Sequence, residues 1–172
     1  AIKIASCSVT DRPLLQEVSR AKMPVVVSTG GATIPEIEYV VHILNRGEGT
    51  FALEHCVSIY PTPMHSLNLN QIRFLKDHFR DIPVGWSTHE DPDDCTTVQL
   101  AIAKGATLFE RHVGIPNEKY DLNQYSSTPE QVGRWISAYR EGKIRCGSQR
   151  RGPSSVDERQ ALNSLKRGVY AN

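Results

Sequence analysis

The sequence lacks the long apolar segments that a membrane-spanning helix needs. Its longest β-branched run is the three valines at 25–27, whereas a bilayer span takes about 20 mostly apolar residues. No charged segment followed by an apolar stretch opens the chain, so no signal peptide is expected. The composition therefore predicts a protein without a membrane partner.

A surplus of either charge is also lacking. The 172 residues include 20 Lys and Arg against 19 Asp and Glu, a formal net charge of +1. Because nucleic-acid-binding domains usually carry a basic surplus, we expect no nucleic-acid partner. The hydrophobic set makes up 39% of the chain and the charged set 23%, which is typical of roughly one ordinary globular domain.

Cysteine is scarce. The four cysteines, Cys7, Cys56, Cys95 and Cys146, are widely spaced and form no CxxC pair. This spacing argues against a disulfide scaffold and against a zinc ribbon. We expect four free thiols in a reducing compartment, and therefore a cytoplasmic location.

Strand-like and helix-like segments alternate along the chain. The predicted strands are 2–6, 24–28, 51–57, 83–87 and 107–112. Thr33-x-x-Glu36 and Ser155-x-x-Glu158 match the helical capping box, and Gly142 is expected to end the helix that opens at Thr128. Residues 143–155 are then expected to form a loop. Regular alternation of this kind predicts a parallel sheet covered by helices.

Two architectures fit this alternation, an open doubly wound sheet and a (β/α)8 barrel. No G-x-G-x-x-G motif follows the first strand, which weakens a dinucleotide-binding interpretation. A barrel of this type takes eight strands and about 250 residues. The sequence therefore predicts an α/β fold and, if it is a barrel, an incomplete TIM-type (β/α)8 barrel with about five βα units.

Polar residues follow every predicted strand, at the edge where parallel α/β folds place their chemistry. His89 and His112 end consecutive strands. Neighbouring strands lie about 4.8 Å apart, and imidazole nitrogens bind metals at about 2.1 Å, so the two rings could share one ion. Each histidine alone would more often be an ordinary polar residue, but the pair predicts a metal site.

The same edge has the groups that hold an anion. Lys3 is expected to point inward, which is costly unless it meets an anion. Glu110 lies two residues before His112 and points the same way, so it could orient a ligand or bind substrate. The alternative for Glu110 is a structural ion pair with Arg111 or Lys104. The hydroxyls expected to hold a phosphate or carboxylate beside the glycines at 30–31 are Ser6, Ser28, Ser58 and Ser87.

Five blocks of the sequence, in this order, resemble the sialic acid synthases and related nonulosonic acid synthases. The blocks are IKIAS at 2–6, VSTG at 27–30, HCVSIYPTP at 55–63, VGWSTH at 84–89 and LFERH at 108–112. The resemblance implies the later strands of a TIM barrel. It also implies condensation of phosphoenolpyruvate with an N-acylated hexosamine similar to N-acetylmannosamine, giving a nonulosonic acid and inorganic phosphate.

The resemblance also implies roles for particular residues. His89 and His112 would bind a divalent metal, typically manganese with magnesium as the alternative, and Tyr60 and Glu110 would be catalytic. The implied substrate-binding residues are Lys3, Ser6, Ser28, Ser58 and Ser87, with one of Asp121 and Asn123. In the family that this chain resembles, synthases acting on N-acetylmannosamine usually carry an acid at the position of Ser8, so the acceptor sugar here is expected to differ. Asparagine is common at the position of Ser58 and aspartate at that of Thr88.

The resemblance implies that this chain is a fragment. Residues 1–165 would form a partial barrel domain, and 166–172 the start of a linker to a C-terminal antifreeze-like domain. The parent is expected to be a homodimer, and the fragment alone to be inactive. Two other functions stay open: a different TIM-barrel metal-dependent aldolase, and a non-catalytic sugar-binding relic, which the changes at Ser8, Ser58 and Thr88 favour.

Overall fold

A computed structural model describes residues 1–168 of the chain. The strands are β1 (Ile2–Ile4), β2 (Val25–Ser28), β3 (Phe51–His55), β4 (Val84–Thr88) and β5 (Phe109–Arg111). The helices are α1 (Arg12–Arg20), α2 (Ile34–Leu44), α3 (Asn70–His78), α4 (Thr96–Ala103), α5 (Pro129–Cys146) and α6 (Val156–Leu165). Short 3-10 turns at Ser6–Ser8 and Met64–Ser66 complete the regular structure of this part of the chain.

The five strands form one parallel sheet in the order β1-β2-β3-β4-β5. Each strand pairs with its neighbour in sequence, whereas the strand order of a doubly wound sheet reverses at a switch point. The sheet curls into a half-barrel, so that Lys3 on β1 reaches Glu110 on β5. The predicted α/β class with about five βα units is confirmed, in the form of this half-barrel.

Side-chain alternation divides the sheet into two faces. The outer face, under the helices, is mostly apolar: Val27, Leu53, Val84 and Trp86 are at most 1% exposed. Burying such a side chain contributes about 1.5–3 kcal/mol. The inner face has the polar residues that the sequence places at the strand ends.

Short-range signals set most of the helix starts. Glu36 accepts hydrogen bonds from the backbone N–H and the hydroxyl of Thr33, both at 2.7 Å, as the capping box predicts. Ser155 Oγ accepts from the Glu158 N–H at 3.0 Å. These contacts give partners to backbone N–H groups that the start of a helix otherwise leaves without them.

Helix α5 corrects one prediction, because it runs through Gly142 to Cys146. A Cβ on Gly142 would lie 3.0 Å from Ile102 Cδ1 and 3.2 Å from the Cα of Gln99. The glycine therefore permits close packing of α5 on α4 and does not end the helix. Gly147, with φ 59°, follows the last helical residue, so the predicted loop at 143–155 begins four residues later.

Other sequence-level expectations have mixed outcomes. The predicted strands at 2–6, 51–57 and 107–112 are shorter in the structure. All four cysteines are free. Within residues 1–168, no helix combines the length and the apolar character needed to cross a membrane. The expected linker at 166–172 lies mostly outside the described residues, which end at 168.

Candidate functional site

The two histidines meet at the carboxyl ends of β4 and β5. Strand register pairs Thr88 with Arg111, so one step further along the chain brings His89 opposite His112. Their ring centroids are 5.1 Å apart, with the rings inclined at 49°. The expected proximity of the two imidazoles is confirmed, and metal ligation by them stays a prediction.

Two tyrosines complete an aromatic cluster around these imidazoles. Tyr60 stands edge-on to His89, with centroids 4.6 Å apart. Tyr125 lies 5.2 Å from His112, 5.8 Å from His89 and 5.3 Å from Tyr60. The sequence singles out Tyr60 but not Tyr125, which comes from the long segment between β5 and α5. Tyr125 reaches the site because a parallel bridge between Val113 and Ser127 folds that segment back. No local sequence pattern marks it, because the bridge is a long-range contact.

Burial keeps the imidazole of His89 neutral. Desolvation, followed by the proximity of His112, lowers the pKa of His89 from 6.5 to about 4. Its Nδ1 lies 3.8 Å from the Cys56 Sγ. A neutral imidazole offers a lone pair to a metal ion, which a protonated one cannot.

The donor set fits an open metal site. Among residues 1–168, no third His, Cys, Asp or Glu side chain joins the pair in a metal-binding group. Structural zinc sites use four protein ligands, whereas catalytic sites leave positions for water and substrate. Two imidazoles alone would leave such positions open on an ion bound between them.

Lys3 is the centre of a polar network on the inner face. Its Nζ donates to Ser28 Oγ at 2.6 Å, to Glu54 Oε2 at 2.6 Å and to Glu110 Oε2 at 2.5 Å. Ser87 Oγ also donates to Glu110 Oε2, at 2.8 Å. The network joins all five strands, so it is a product of the curled sheet.

This network changes two expectations. The anion that Lys3 meets is supplied by the protein's own carboxylates, and Glu54 was not identified from the sequence. The available signal was a glutamate within an otherwise apolar strand, since Glu54 is 1% exposed. The alternative for Glu110, an ion pair with Arg111 or Lys104, is wrong because its partner is Lys3.

The charges of the network are well defined. Burial lowers the pKa of Lys3, but hydrogen bonds to Glu110 and Glu54 outweigh burial and raise it overall. Burial raises the pKa of Glu54, and Lys3 offsets only part of this rise. Burial also acts to raise the pKa of Glu110, yet the hydrogen bonds from Lys3 and Ser87 lower it overall. Lys3 is therefore cationic and Glu110 anionic at neutral pH.

Gly30 forms a second polar cradle with two serines. Its N–H donates to Ser6 Oγ at 3.0 Å. A Cβ on Gly30 would lie 2.4 Å from Ser58 Oγ and 2.8 Å from Ser6 Oγ. The structure thus brings Ser6 and Ser58 together at Gly30, whereas Ser28 and Ser87 join the Lys3 network.

The remaining predicted residues lie in the segment between β5 and α5. Asn123 Oδ1 accepts a hydrogen bond from the Tyr125 N–H at 3.2 Å, beside the aromatic cluster. Asp121 is exposed two residues earlier. Thr88 is buried and faces away from the site, against Arg111, so its difference from the family pattern does not alter the inner face.

Three comparisons with known proteins are informative. The chain is 44% identical to a solved structure of a putative spore coat polysaccharide biosynthesis protein E from Chromobacterium violaceum, with a TM-score of 0.93 over 99% of this chain and 51% of that one. A sialic acid synthetase structure from Leptospira borgpetersenii is 29% identical, with a TM-score of 0.85 over 96% and 58%. The N,N'-diacetyllegionaminic acid synthase of Campylobacter jejuni is 32% identical over 98% of this chain and 51% of that protein.

The matches cover nearly all of this chain but only part of each relative. The chain spans about half the length of the curated relatives it matches. The NeuB family model matches residues 1–151, which confirms the resemblance to the sialic acid synthase group. On this match, the chain belongs to the NeuB family.

Proposed function

We propose that this chain is the later part of the barrel of a nonulosonic acid synthase. The reaction joins phosphoenolpyruvate to an N-acylated hexosamine, similar to N-acetylmannosamine, with one water consumed and one inorganic phosphate released. The observation that carries the proposal is the proximity of His89 and His112 beside Tyr60 and the Lys3 network. The ring centroids of the two histidines are 5.1 Å apart. Relatives named for sialic, legionaminic and pseudaminic acid synthesis support the reaction class.

In the proposed enzyme, His89 and His112 would hold a divalent metal, manganese or magnesium. When bound, the metal would supply Lewis-acid polarisation of the sugar aldehyde. The neutral state of His89 supports this role, because ligating imidazoles must be deprotonated. The open edge of the pair leaves room for the acceptor sugar, and Tyr60 and Tyr125 form its wall.

The anionic substrate is assigned to the two polar groups on the inner face. The cradle of Ser6, Ser58 and Gly30 supplies hydroxyl donors. Lys3, with Ser28 and Ser87, supplies a cation and two further hydroxyls. We propose that Lys3 releases part of its contact with Glu54 or Glu110 to meet the carboxylate or phosphate. Charge-assisted hydrogen bonds of this kind are the strong ones.

Glu110 and Tyr60 are assigned to the sugar side. Glu110 is anionic, so it can accept a proton or a sugar hydroxyl hydrogen bond. Asp121 or Asn123 would contact the sugar from the segment that holds Tyr125. The protein is proposed to act as a cytoplasmic homodimer in its full-length form.

The half-barrel has two sheet edges, β1 and β5, within the described residues. Unpaired edges present free N–H and C=O groups that another strand would cover. We therefore propose that the 172-residue chain alone is inactive, and that residues 1–165 are completed by further strands in a closed TIM barrel.

The test is phosphate release by the full-length protein. Phosphoenolpyruvate is incubated with and without each of a panel of N-acylated hexosamines that includes N-acetylmannosamine, after chelation and after Mn2+ is restored. We expect release only with both acceptor and metal, and no release by the 172-residue chain. Aldol product without phosphoenolpyruvate would favour the aldolase, and sugar binding without turnover would favour the relic.

A histidine substitution sharpens this test. His112→Ala should lower kcat by a factor of about 100 or more while the affinity for phosphoenolpyruvate changes little, because one of two metal ligands is lost. His42→Ala, at an exposed position on α2, is the matched control and should retain activity. Loss of phosphoenolpyruvate binding in H112A with the sugar step intact would contradict the assignment.

A further inference from the structure

A buried ion pair lies directly behind the two imidazoles. Arg111 Nη1 donates to Glu90 Oε1 at 3.0 Å, and the side chains are 5% and 2% exposed. Glu90 follows His89 in sequence, and Arg111 precedes His112. Because side chains alternate across a strand, the ion pair occupies the outer face while the imidazoles occupy the inner face.

The ion pair is also connected to the backbone of His112. Arg111 Nε donates to Ser127 Oγ at 2.6 Å, and the Ser127 N–H donates to the His112 carbonyl at 2.9 Å. Ser127 is fully buried. The Arg111 guanidinium therefore links Glu90, which follows His89, to Ser127, which holds the carbonyl of His112.

A third contact fixes the plane of the guanidinium. Arg111 Cζ lies 5.6 Å from the centroid of the Trp135 ring on α5. The His89 carbonyl is held separately, by the Thr62 N–H at 2.8 Å. The backbone of each histidine thus has its own anchor, and the Glu90–Arg111 pair ties the two strand ends to each other.

The cost of this pair argues against a purely stabilising role. Glu90 Oε2 and Arg111 Nη2 are buried and, within residues 1–168, have no hydrogen-bond partner. An apolar pair of similar volume often stabilises a core as well as, or better than, an ion pair with unsatisfied atoms. A directional contact, by contrast, can fix the separation of two strand ends.

We propose that Glu90 and Arg111 are positioning residues that set the spacing of the His89 and His112 imidazoles for one shared divalent cation. The inference rests on the proposed metal site and extends it to the opposite face of the sheet. Neither residue touches the inner face. Their effect reaches the metal through the backbone of the two ligands, as outer partners of metal ligands do in general.

The experiment measures Mn2+ affinity in the full-length protein by calorimetry, with Co2+ absorption as a report of ligand geometry. Glu90→Gln keeps the shape of the side chain and removes its charge. Arg111→Lys keeps the charge and removes the contact to Ser127. We expect each to weaken Mn2+ binding by about 10- to 100-fold and to change the Co2+ spectrum.

A matched control and a milder variant accompany these two. Asp93→Asn removes an exposed ion pair with Arg134 that joins the segment after β4 to α5, and it should change Mn2+ affinity less than about twofold. Ser127→Ala removes a single hydroxyl, and it serves if the charged variants do not fold. It should weaken Mn2+ binding and alter the Co2+ spectrum in the same direction.

The outcomes separate the two levels of the proposal. Wild-type protein that binds no Mn2+ would refute the metal site and the positioning role together. Wild-type binding that E90Q, R111K and S127A all match, with their folds intact by circular dichroism, would refute the positioning role alone. Weakened binding in the folded variants, with D93N unchanged, would support it.

Discussion

The two faces of the sheet carry charge in different ways at the same strand ends. On the inner face, Lys3 is shared by two carboxylates and a serine, and its side chain is 33% exposed. On the outer face, Glu90 and Arg111 are almost completely buried, and each has one side-chain atom without a hydrogen-bond partner in the described part of the chain. Lys3 opens the inner network to solvent, although its partner Glu54 is only 1% exposed, whereas both members of the outer pair are enclosed.

This difference matches the roles proposed above, in which Lys3 binds the anionic substrate and the Glu90–Arg111 pair positions the two histidines. Charges near solvent interact in a high effective dielectric, so a change of partner costs little. A buried pair loses much more when one member is removed, since the other is left as an uncompensated charge. Substitutions on each face test whether removing a charge lowers the free energy of unfolding more on the outer face than on the inner face.

The largest effect is expected from Arg111→Ala. This change leaves the Glu90 carboxylate buried without its cation, and the free energy of unfolding should fall by roughly 3–5 kcal/mol. Urea denaturation of the protein measures it. Replacing both residues, as in Glu90→Met with Arg111→Leu, should restore most of the loss; a double variant as unstable as R111A would contradict this account.

A smaller effect is expected from Lys3→Met on the inner face. Glu54 loses its charged donor, which should cost about 1–3 kcal/mol of unfolding free energy. Phosphoenolpyruvate binding should also weaken in the full-length protein, because the proposed cation is gone. Equal stability losses in K3M and R111A would remove the distinction between the two faces. Lys22→Met, which breaks an exposed ion pair with Glu48, is the matched control.

The smallest effect is expected from Tyr125→Ala. Its ring packs against His89, His112 and Tyr60, and such aromatic contacts are worth about 0.5–1.5 kcal/mol each. We expect the KM for the acceptor sugar to rise about 2- to 10-fold, with the KM for phosphoenolpyruvate unchanged. Tyr125→Phe should keep the wild-type value if packing is the cause. A parallel rise in both constants would place Tyr125 outside the sugar side.

Local patterns in the sequence predict much of this fold. The β-α alternation predicts the parallel sheet, and the capping boxes at Thr33 and Ser155 mark helix starts that the structure confirms. The pairing of His89 with His112 follows from the positions of two consecutive strands. These features depend on short-range spacing, which a sequence displays directly.

Long-range contacts account for what the sequence did not predict. Glu54 and Lys3 are 51 positions apart, and they meet because the sheet curls. Tyr125 reaches the site because the segment before α5 folds back onto β5. Gly142 looks like a helix terminator until its packing against α4 is known. In each case the decisive partner is distant in sequence, so local pattern could not supply it.

The segment between β5 and α5 is secured at its two ends by the backbone bonds that join Ser127 to His112 and to Gly114. The segment between these hydrogen-bonded ends includes Asp121, Asn123 and Tyr125. Under the proposed function, substitutions within this span are expected to change which sugar is accepted while the imidazole spacing stays constant. Under the same proposal, the strand ends with the two histidines could stay unchanged while the neighbouring segment adapts to different acceptor sugars.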